Sequence, residues 1–283
     1  MSALRGLDGP AAPGRLSWPR QVWRNVRLSL VTLTRPPRRR VAWPSALRLA
    51  LGAALTVIAI VAAMAGLDGW MSRGAPHLPA PLIAAAQLYT ELGKSGWFLW
   101  PIGVVLIVMA LLDSPAAPRF GRLVLAACAV RLGFVFAAIA VPGLFVNVVK
   151  RVIGRARPFV AGSDTLAFAP FTWHAAYASM PSGHATTAFS ALVAVGALFP
   201  RARALLWAYA VLIALSRIVV SAHYPSDVLA GAVVGAAGAY AVLHWFAARG
   251  LVFRIGPDGS PVAMPGPGLR RIVKAVARRR RAD

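Results

Sequence analysis

Three short polar stretches interrupt an otherwise apolar chain, and their side chains are those that phosphate chemistry uses. The first, KRVIGRARP, places six residues between Lys150 and Arg157-Pro158. The second is PSGH, Pro181 to His184, and the third, SRIVVSAHYPSD, carries Arg217, His223 and Asp227. Lys150, Arg157 and Arg217 are three fixed cations, and a guanidinium fork matches the paired oxygens of a phosphate. Ser182 and Gly183 open an apolar run read as a helix, where free backbone N–H groups and the positive end of the dipole favour an anion. Of the two histidines, one can attack phosphorus and the other can protonate the departing oxygen. Asp227, four positions after His223, can fix that imidazole's tautomer and stabilise its positive form.

Holding such a set together is the work of the apolar segments. The chain has 283 residues, 58% hydrophobic and 14% charged, with a mean hydropathy of +0.65. An ordinary soluble domain has roughly 45–50% and about 25%, so this is an integral membrane protein by composition. Crossing a hydrocarbon core of roughly 30 Å at 1.5 Å per residue takes about 20 apolar residues. Six runs approach that length: 49–67, 97–112, 123–149, 185–199, 204–220 and 228–246. Each is rich in Ala, Leu and Val and bounded by charges, Pro or Gly. The expected fold is all-α, an integral membrane bundle of six transmembrane helices. Between the first and second spans, the link 68–95 is too broken by Pro and Gly for a span and is expected as short interfacial helices. Gly231, Ala232, Gly235, Ala236 and Gly238 predict a close-packed last helix.

The expected division is a basic, poorly ordered N-terminal segment (1–45), the membrane domain (46–247) and a basic C-terminal tail (248–283). Arginines crowd both flanks, in RPPRRR and RRRR among others, within a net charge of +23. Cations favour the cytoplasmic side, so both termini are expected there, in keeping with an even number of spans. The three polar stretches then face away from the cytoplasm. Cations in KRVIGRARP stand against the usual bias at that face, which marks them as held for a task. The tails read as topology signals touching anionic headgroups. They lack the aromatic interleaving or fold of a nucleic-acid binder, and no nucleic-acid partner is expected. The opening residues have no apolar core of a cleavable signal peptide, and the single Cys128 falls inside a span, without a disulfide or Cys-based metal site.

Taken together, the stretches resemble the signature of the type 2 phosphatidic acid phosphatase family. Lys150 with Arg157-Pro158, then PSGH, then Ser216-Arg217 with His223 and Asp227 six and ten positions beyond Arg217 occupy all its positions. The resemblance runs over roughly residues 80 to 245 and includes LGKSGW, 92–97. It implies that His223 is a nucleophile forming a phosphohistidine, that Asp227 orients it, and that His184 is the general acid. Lys150, Arg157, Ser182, Gly183 and Arg217 would bind the phosphoryl oxygens. It implies no cofactor and no divalent metal, in keeping with scarce carboxylates, since apart from Asp227 only Asp164 lies in these loops. Arg151 and Arg155 fall at variable positions and are expected near headgroups or substrate, Arg131 is expected to snorkel to the cytoplasmic interface, and His77 and His244 are expected to be interfacial or packing residues.

A site between spans suits a lipid phosphate that arrives by lateral diffusion. The Ala- and Arg-rich composition and the lack of an N-x-S/T sequon suit a bacterial cell (inner) membrane. Among its lipids, undecaprenyl diphosphate ranks first, with lipid A phosphate and phosphatidylglycerol phosphate as alternatives. A rival of another class is a non-catalytic protein that binds or moves anionic lipids. Vanadate-dependent oxidation is a further rival, because the family's anion site resembles that of vanadium haloperoxidases, although those are soluble.

Overall fold

Small residues decide which helices meet. In a bilayer the hydrophobic effect does not drive helices together, and close packing takes its place. Gly231 and Gly235 supply it: a Cβ on Gly231 would lie 2.4 Å from the Ser182 carbonyl oxygen, and one on Gly235 2.3 Å from that of Thr186. The backbones of two helices touch there, and Ser190 Oγ donates to Gly235 O at 3.1 Å.

The computed structural model describes residues 18–38, 41–112, 119–162, 164–268, 270, 272–273 and 277. Its helices are α1 (Trp18–Thr34), α2 (Ala46–Ala63), α3 (Gly69–Gly74), α4 (Ala80–Glu91), α5 (Gly96–Leu112), α6 (Arg119–Ile153), α7 (Pro158–Ala161), α8 (Gly183–Leu198), α9 (Arg203–Val219) and α10 (Pro225–Ala248). A hairpin of β1 (Phe253–Ile255) and β2 (Pro261–Ala263) follows. Helices α6, α8 and α10 pack mutually at the centre, with α9 against α8, α4 against α9, α5 against α6 and α2 against α10. Their shared core holds Phe134, Ile139, Ala191, Ala239 and Phe246. Outward faces carry exposed large apolar side chains, such as Leu55 and Ile58 on α2 and Ile107 on α5. Such a continuous apolar exterior suits lipid rather than water.

The protein is an all-helical membrane protein with five helical stretches long and apolar enough to cross a bilayer: Ala46–His77, Ala80–Leu111, Arg119–Ile153, Pro200–Val219 and Pro225–Ala248. The expected span at 185–199 falls in α8, which is not among these five stretches. That helix has 16 residues, or about 24 Å at 1.5 Å each, short of a core of roughly 30 Å. Its neighbours explain the shortness. With Ala185, Ala188, Ala191 and Ala194 all buried, α8 meets α6, α9 and α10 rather than lipid.

The link expected as interfacial pieces is also revised. A π-helical turn, Met64–Asp68, carries α2 into α3 and a 3₁₀ turn at Ala75–His77, so the first helix runs on through residue 77. Residues 18–34 form α1, whose Asn25 Nδ2 donates to Ala110 O at 2.8 Å. Residues 1–17 and most of those from 269 onward lie outside the described residues. The start of the basic tail folds against the bundle, with Phe253 edge-on to Phe134 at 4.9 Å. Arg131 explains part of that docking, donating to Met264 O (2.9 Å) and Pro265 O (3.0 Å). Its charged head is thus held by tail carbonyls, where snorkelling to lipid was expected. His244 packs as expected, its ring 4.0 Å from Tyr240 and 4.5 Å from Trp43.

Candidate active site

Four helix ends bring the polar stretches together. Lys150 lies in the last turn of α6 and is buried. Its ammonium meets the start of α8, where a Cβ on Gly183 would stand 3.4 Å from Nζ. Ser182 is the N-cap of α8, its hydroxyl accepting from Ala185 N at 3.5 Å. Its own N–H donates to Asp227 O at 2.9 Å, which joins the start of α8 to the start of α10. Arg217 ends α9 and donates through Nη1 to Thr90 Oγ1 of α4 at 2.5 Å. Arg157, in the loop after α6, donates from Nε to Ala175 O at 3.1 Å and from Nη1 to Ala222 O at 3.5 Å. Desolvation lowers the Arg157 pKa, with Asp227 opposing.

His184 follows Gly183 in the first turn of α8, and Gly93 sits against it. A Cβ at Gly93 would come within 2.9 Å of His184 Cδ2 and 2.6 Å of Ile213 Cγ2. Only a residue without a side chain fits. The His184 Nε2 and Arg217 Nε atoms are buried and lack a hydrogen-bond partner within the described residues. Buried polar atoms are normally paired; His244 Nε2 and Tyr224 Oη are also unpartnered among the described residues, but His184 and Arg217 belong to the polar stretches gathered at the start of α8.

On the other side of the cluster both oxygens of the Asp227 carboxylate are paired. The Asp227 carboxylate accepts from Ser179 Oγ (2.5 Å) and Tyr224 N (3.0 Å) on Oδ2, and from Arg155 Nη1 (2.7 Å) on Oδ1. His223 Nδ1 stands 3.7 Å from Asp227 Oδ2 and 3.4 Å from Ser179 Oγ. The Asp227 separation is an ion-pair distance and longer than a direct hydrogen bond, and the Ser179 hydroxyl stands beside the pair, donating to Asp227. Desolvation by burial pushes the His223 pKa down to about 4, with Asp227 opposing and Arg157 and Arg217 adding to the effect. A crevice lined by Met71, Ala75, Pro158, Ile218 and Tyr224 reaches the imidazole.

Arg155 corrects its expected place near headgroups. It is fully buried, and besides Asp227 it bonds Asp68 Oδ2 (2.8 Å), Ser226 Oγ (2.7 Å) and Thr165 O (2.7 Å). The Tyr224 ring lies 4.2 Å from the guanidinium carbon. Asp68 is a second carboxylate beside the site, where only Asp164 was expected to accompany Asp227. Arg151 remains outside, donating to Trp173 O at 2.7 Å. Sequence reasoning missed Asp68, Thr90, Ser179 and Ser226, and weighed Arg155 wrongly. A signal existed for Asp68: it is an acid at the end of an apolar run, where ionisable residues are costly and need a partner.

Residues 131–251 match the PAP2 superfamily. The chain is 35% identical over 211 residues to "Lipid A 1-phosphatase" of Rhizobium johnstonii, covering 74% of this chain and 85% of that protein. The chain belongs to the PAP2 superfamily. A second protein of the same name, from Rhizobium etli, is 34% identical over 74% of this chain and 90% of its own length. A crystal structure described as the first transmembrane PAP2 type phosphatidylglycerolphosphate phosphatase from Bacillus subtilis matches at TM-score 0.47 and 22% identity, over 67% of this chain and 92% of that one. As a PAP2 protein the chain is a multi-pass membrane phosphatase acting on lipid phosphates, with the histidine nucleophile and metal independence of that family.

Proposed function

We propose that this PAP2 phosphatase removes the 1-phosphate of lipid A through a phosphohistidine on His223. The relatives named for that reaction match over most of their own lengths, which favours lipid A over the undecaprenyl diphosphate ranked first from sequence. The observation that carries the site assignment is the pair of unsatisfied donors, His184 Nε2 and Arg217 Nε, next to Lys150 at the start of α8. Those groups, with Arg157, Ser182 and Gly183, hold the phosphoryl oxygens.

His223 turns Nδ1 toward Ser179 and Asp227, which leaves Nε2 to attack phosphorus. The P–N bond forms as the P–O bond to the lipid breaks, and His184 gives its proton to the departing oxygen. His184 then takes a proton from water, whose oxygen attacks phosphorus while the P–N bond breaks and inorganic phosphate leaves. Asp227 stabilises the positive charge that His223 acquires. Met71, Ser72 and Ala75 border the crevice at His223, so the 68–77 segment lies beside the reacting imidazole.

For topology the reading is six crossings, the sixth being the short enclosed α8. Both termini are cytoplasmic and the site opens on the periplasmic face, because arginines crowd the two flanks. The three-part division at 45/46 and 247/248 follows the same charges.

Phosphate release in EDTA tests the substrate, with lipid A, undecaprenyl diphosphate, phosphatidylglycerol phosphate and phosphatidic acid offered separately. Lipid A turned over fastest, with loss in H223A, is expected. Preference for another lipid would overturn the substrate, and release by H223A would overturn the nucleophile. Lipid binding without release in any case would favour a non-catalytic carrier.

A further inference from the structure

Asp68 lies outside the residues matched to the superfamily, yet it is fully buried against the site's own charges. Its Oδ2 accepts from Arg155 Nη2 at 2.8 Å and Ser226 Oγ at 2.5 Å, and its Oδ1 accepts from Ser226 N at 3.0 Å. Arg155 in turn bonds Asp227 at 2.7 Å. All three ionisable side chains are completely shielded from solvent, so their mutual field is strong.

A cation bonded to Asp227 has a cost for the reaction. Arg155 alone would cancel the carboxylate whose negative charge must stabilise His223 as it becomes positive. Asp68 restores the balance by occupying the other arm of the guanidinium. We propose that Asp68 and Arg155 are positioning residues that act through Asp227: Arg155 fixes the carboxylate in place, and Asp68 offsets the arginine's charge so that Asp227 still works on His223. The inference rests on the phosphohistidine reading above. It also gives the π-helical turn at Met64–Asp68 a task, since it brings this acid to the start of α10; such turns often mark functional sites.

The other charged or titratable groups around His223 come from every neighbouring element: Asp227 on α10, Arg217 on α9, His184 on α8, Lys150 on α6 and Arg157 in the loop. Of these, Asp227 alone pairs with Arg155 directly; Asp68 and Asp227 are its two ion-pair partners among the described residues.

The test is the acid limb of the kcat/KM–pH profile in full-length, detergent-purified protein. D68N leaves Arg155 to offset Asp227, makes His223 harder to protonate and moves the limb to lower pH, with kcat down about tenfold or more and KM little changed. R155Q leaves two uncompensated carboxylates, so the limb moves to higher pH. The double variant D68N/R155Q returns the limb toward its original position and is more active than D68N. S226A, which removes a shared hydroxyl without a charge, leaves the limb in place. Two single variants that shift the limb the same way, or not at all, would overturn the proposal. If neither single variant folds but the neutral pair folds with a normal limb, charge balance is upheld. If none of the three folds, the cluster serves folding alone and the proposal falls. If H223A retains turnover, the failure lies in the nucleophile assignment instead.

Discussion

The two histidines sit within one cluster but in opposite states of completion. Around His223 the protein supplies the partners: Asp227 is held by Ser179, Tyr224 N and Arg155, and Arg155 is held by Asp68. Around His184 it withholds them, leaving Nε2 and Arg217 Nε without acceptors among the described residues while Lys150 adds a further cation. In the proposed mechanism His223 is the nucleophile, which has to be aimed before substrate arrives, so its supports are built in. An anion site cannot satisfy its donors in advance without competing with its ligand. The difference separates a prepared half from a receiving half.

The sharpest way to break this contrast is to remove the prepared half's reacting atom. H223A should lose about 10⁴-fold or more in kcat, as loss of a nucleophile commonly does, while still binding phosphate through the receiving half. Phosphate-dependent thermal stabilisation in that variant checks the second part. Loss of both together would mean that the halves are not separable.

Next in size is the receiving half. H184A should lower kcat about 10²–10⁴-fold on lipid A. The loss should shrink for a phosphate ester with a good leaving group, which needs no proton from the enzyme. An equal loss on both substrates, read from parallel steady-state assays, would remove His184 as the acid.

The acid limb follows from burial at the prepared half. With its pKa near 4, His223 is neutral and able to attack at higher pH. Below that value kcat/KM should fall about tenfold per pH unit, because a protonated imidazole cannot attack. The same group bears on stability. Unfolded, His223 titrates near 6.5. Its contribution is therefore fully present above about 6.5 and is lost as pH falls toward 4, where the unfolded chain alone takes up the proton. A profile with its acid limb at pH 6 or above would contradict the buried neutral imidazole. A basic limb is also expected, set by the coupled site once the acid has lost its proton.

The smallest effect concerns the frame on which both halves rest. G235A places a methyl 2.3 Å from Thr186 O and should cost about 1–3 kcal/mol as α8 and α10 move apart. Denaturation in detergent reads this. Unchanged stability would mean that α8 can shift without strain.

Much of the receiving half was legible in sequence, because its groups stand at motif positions near the ends of apolar runs. Lys150, Ser182 and Arg217 each occupy the first or last turn of a helix, or cap one, as expected. The supports of the prepared half were less legible. Asp68 is 87 positions from Arg155, and no local pattern announces a pair closed by tertiary packing. Arg155 misled because an arginine at a membrane face usually seeks headgroups, and only its enclosure by Asp68, Ser226 and Tyr224 shows otherwise. The six-span reading fixed on apolar length, whereas α8 is surrounded by protein and escapes the length that lipid imposes. The small hairpin was missed because β1 and β2 are three residues each, too short for alternation to register.

The most direct measurement is to quench the protein in alkali during steady-state turnover of lipid A and map the phosphate by peptide mass spectrometry. A phosphate on the His223 imidazole, absent in H223A, is the predicted result. Turnover with no covalent phosphate, or with the phosphate on another residue, would contradict the assignment of His223 as the nucleophile.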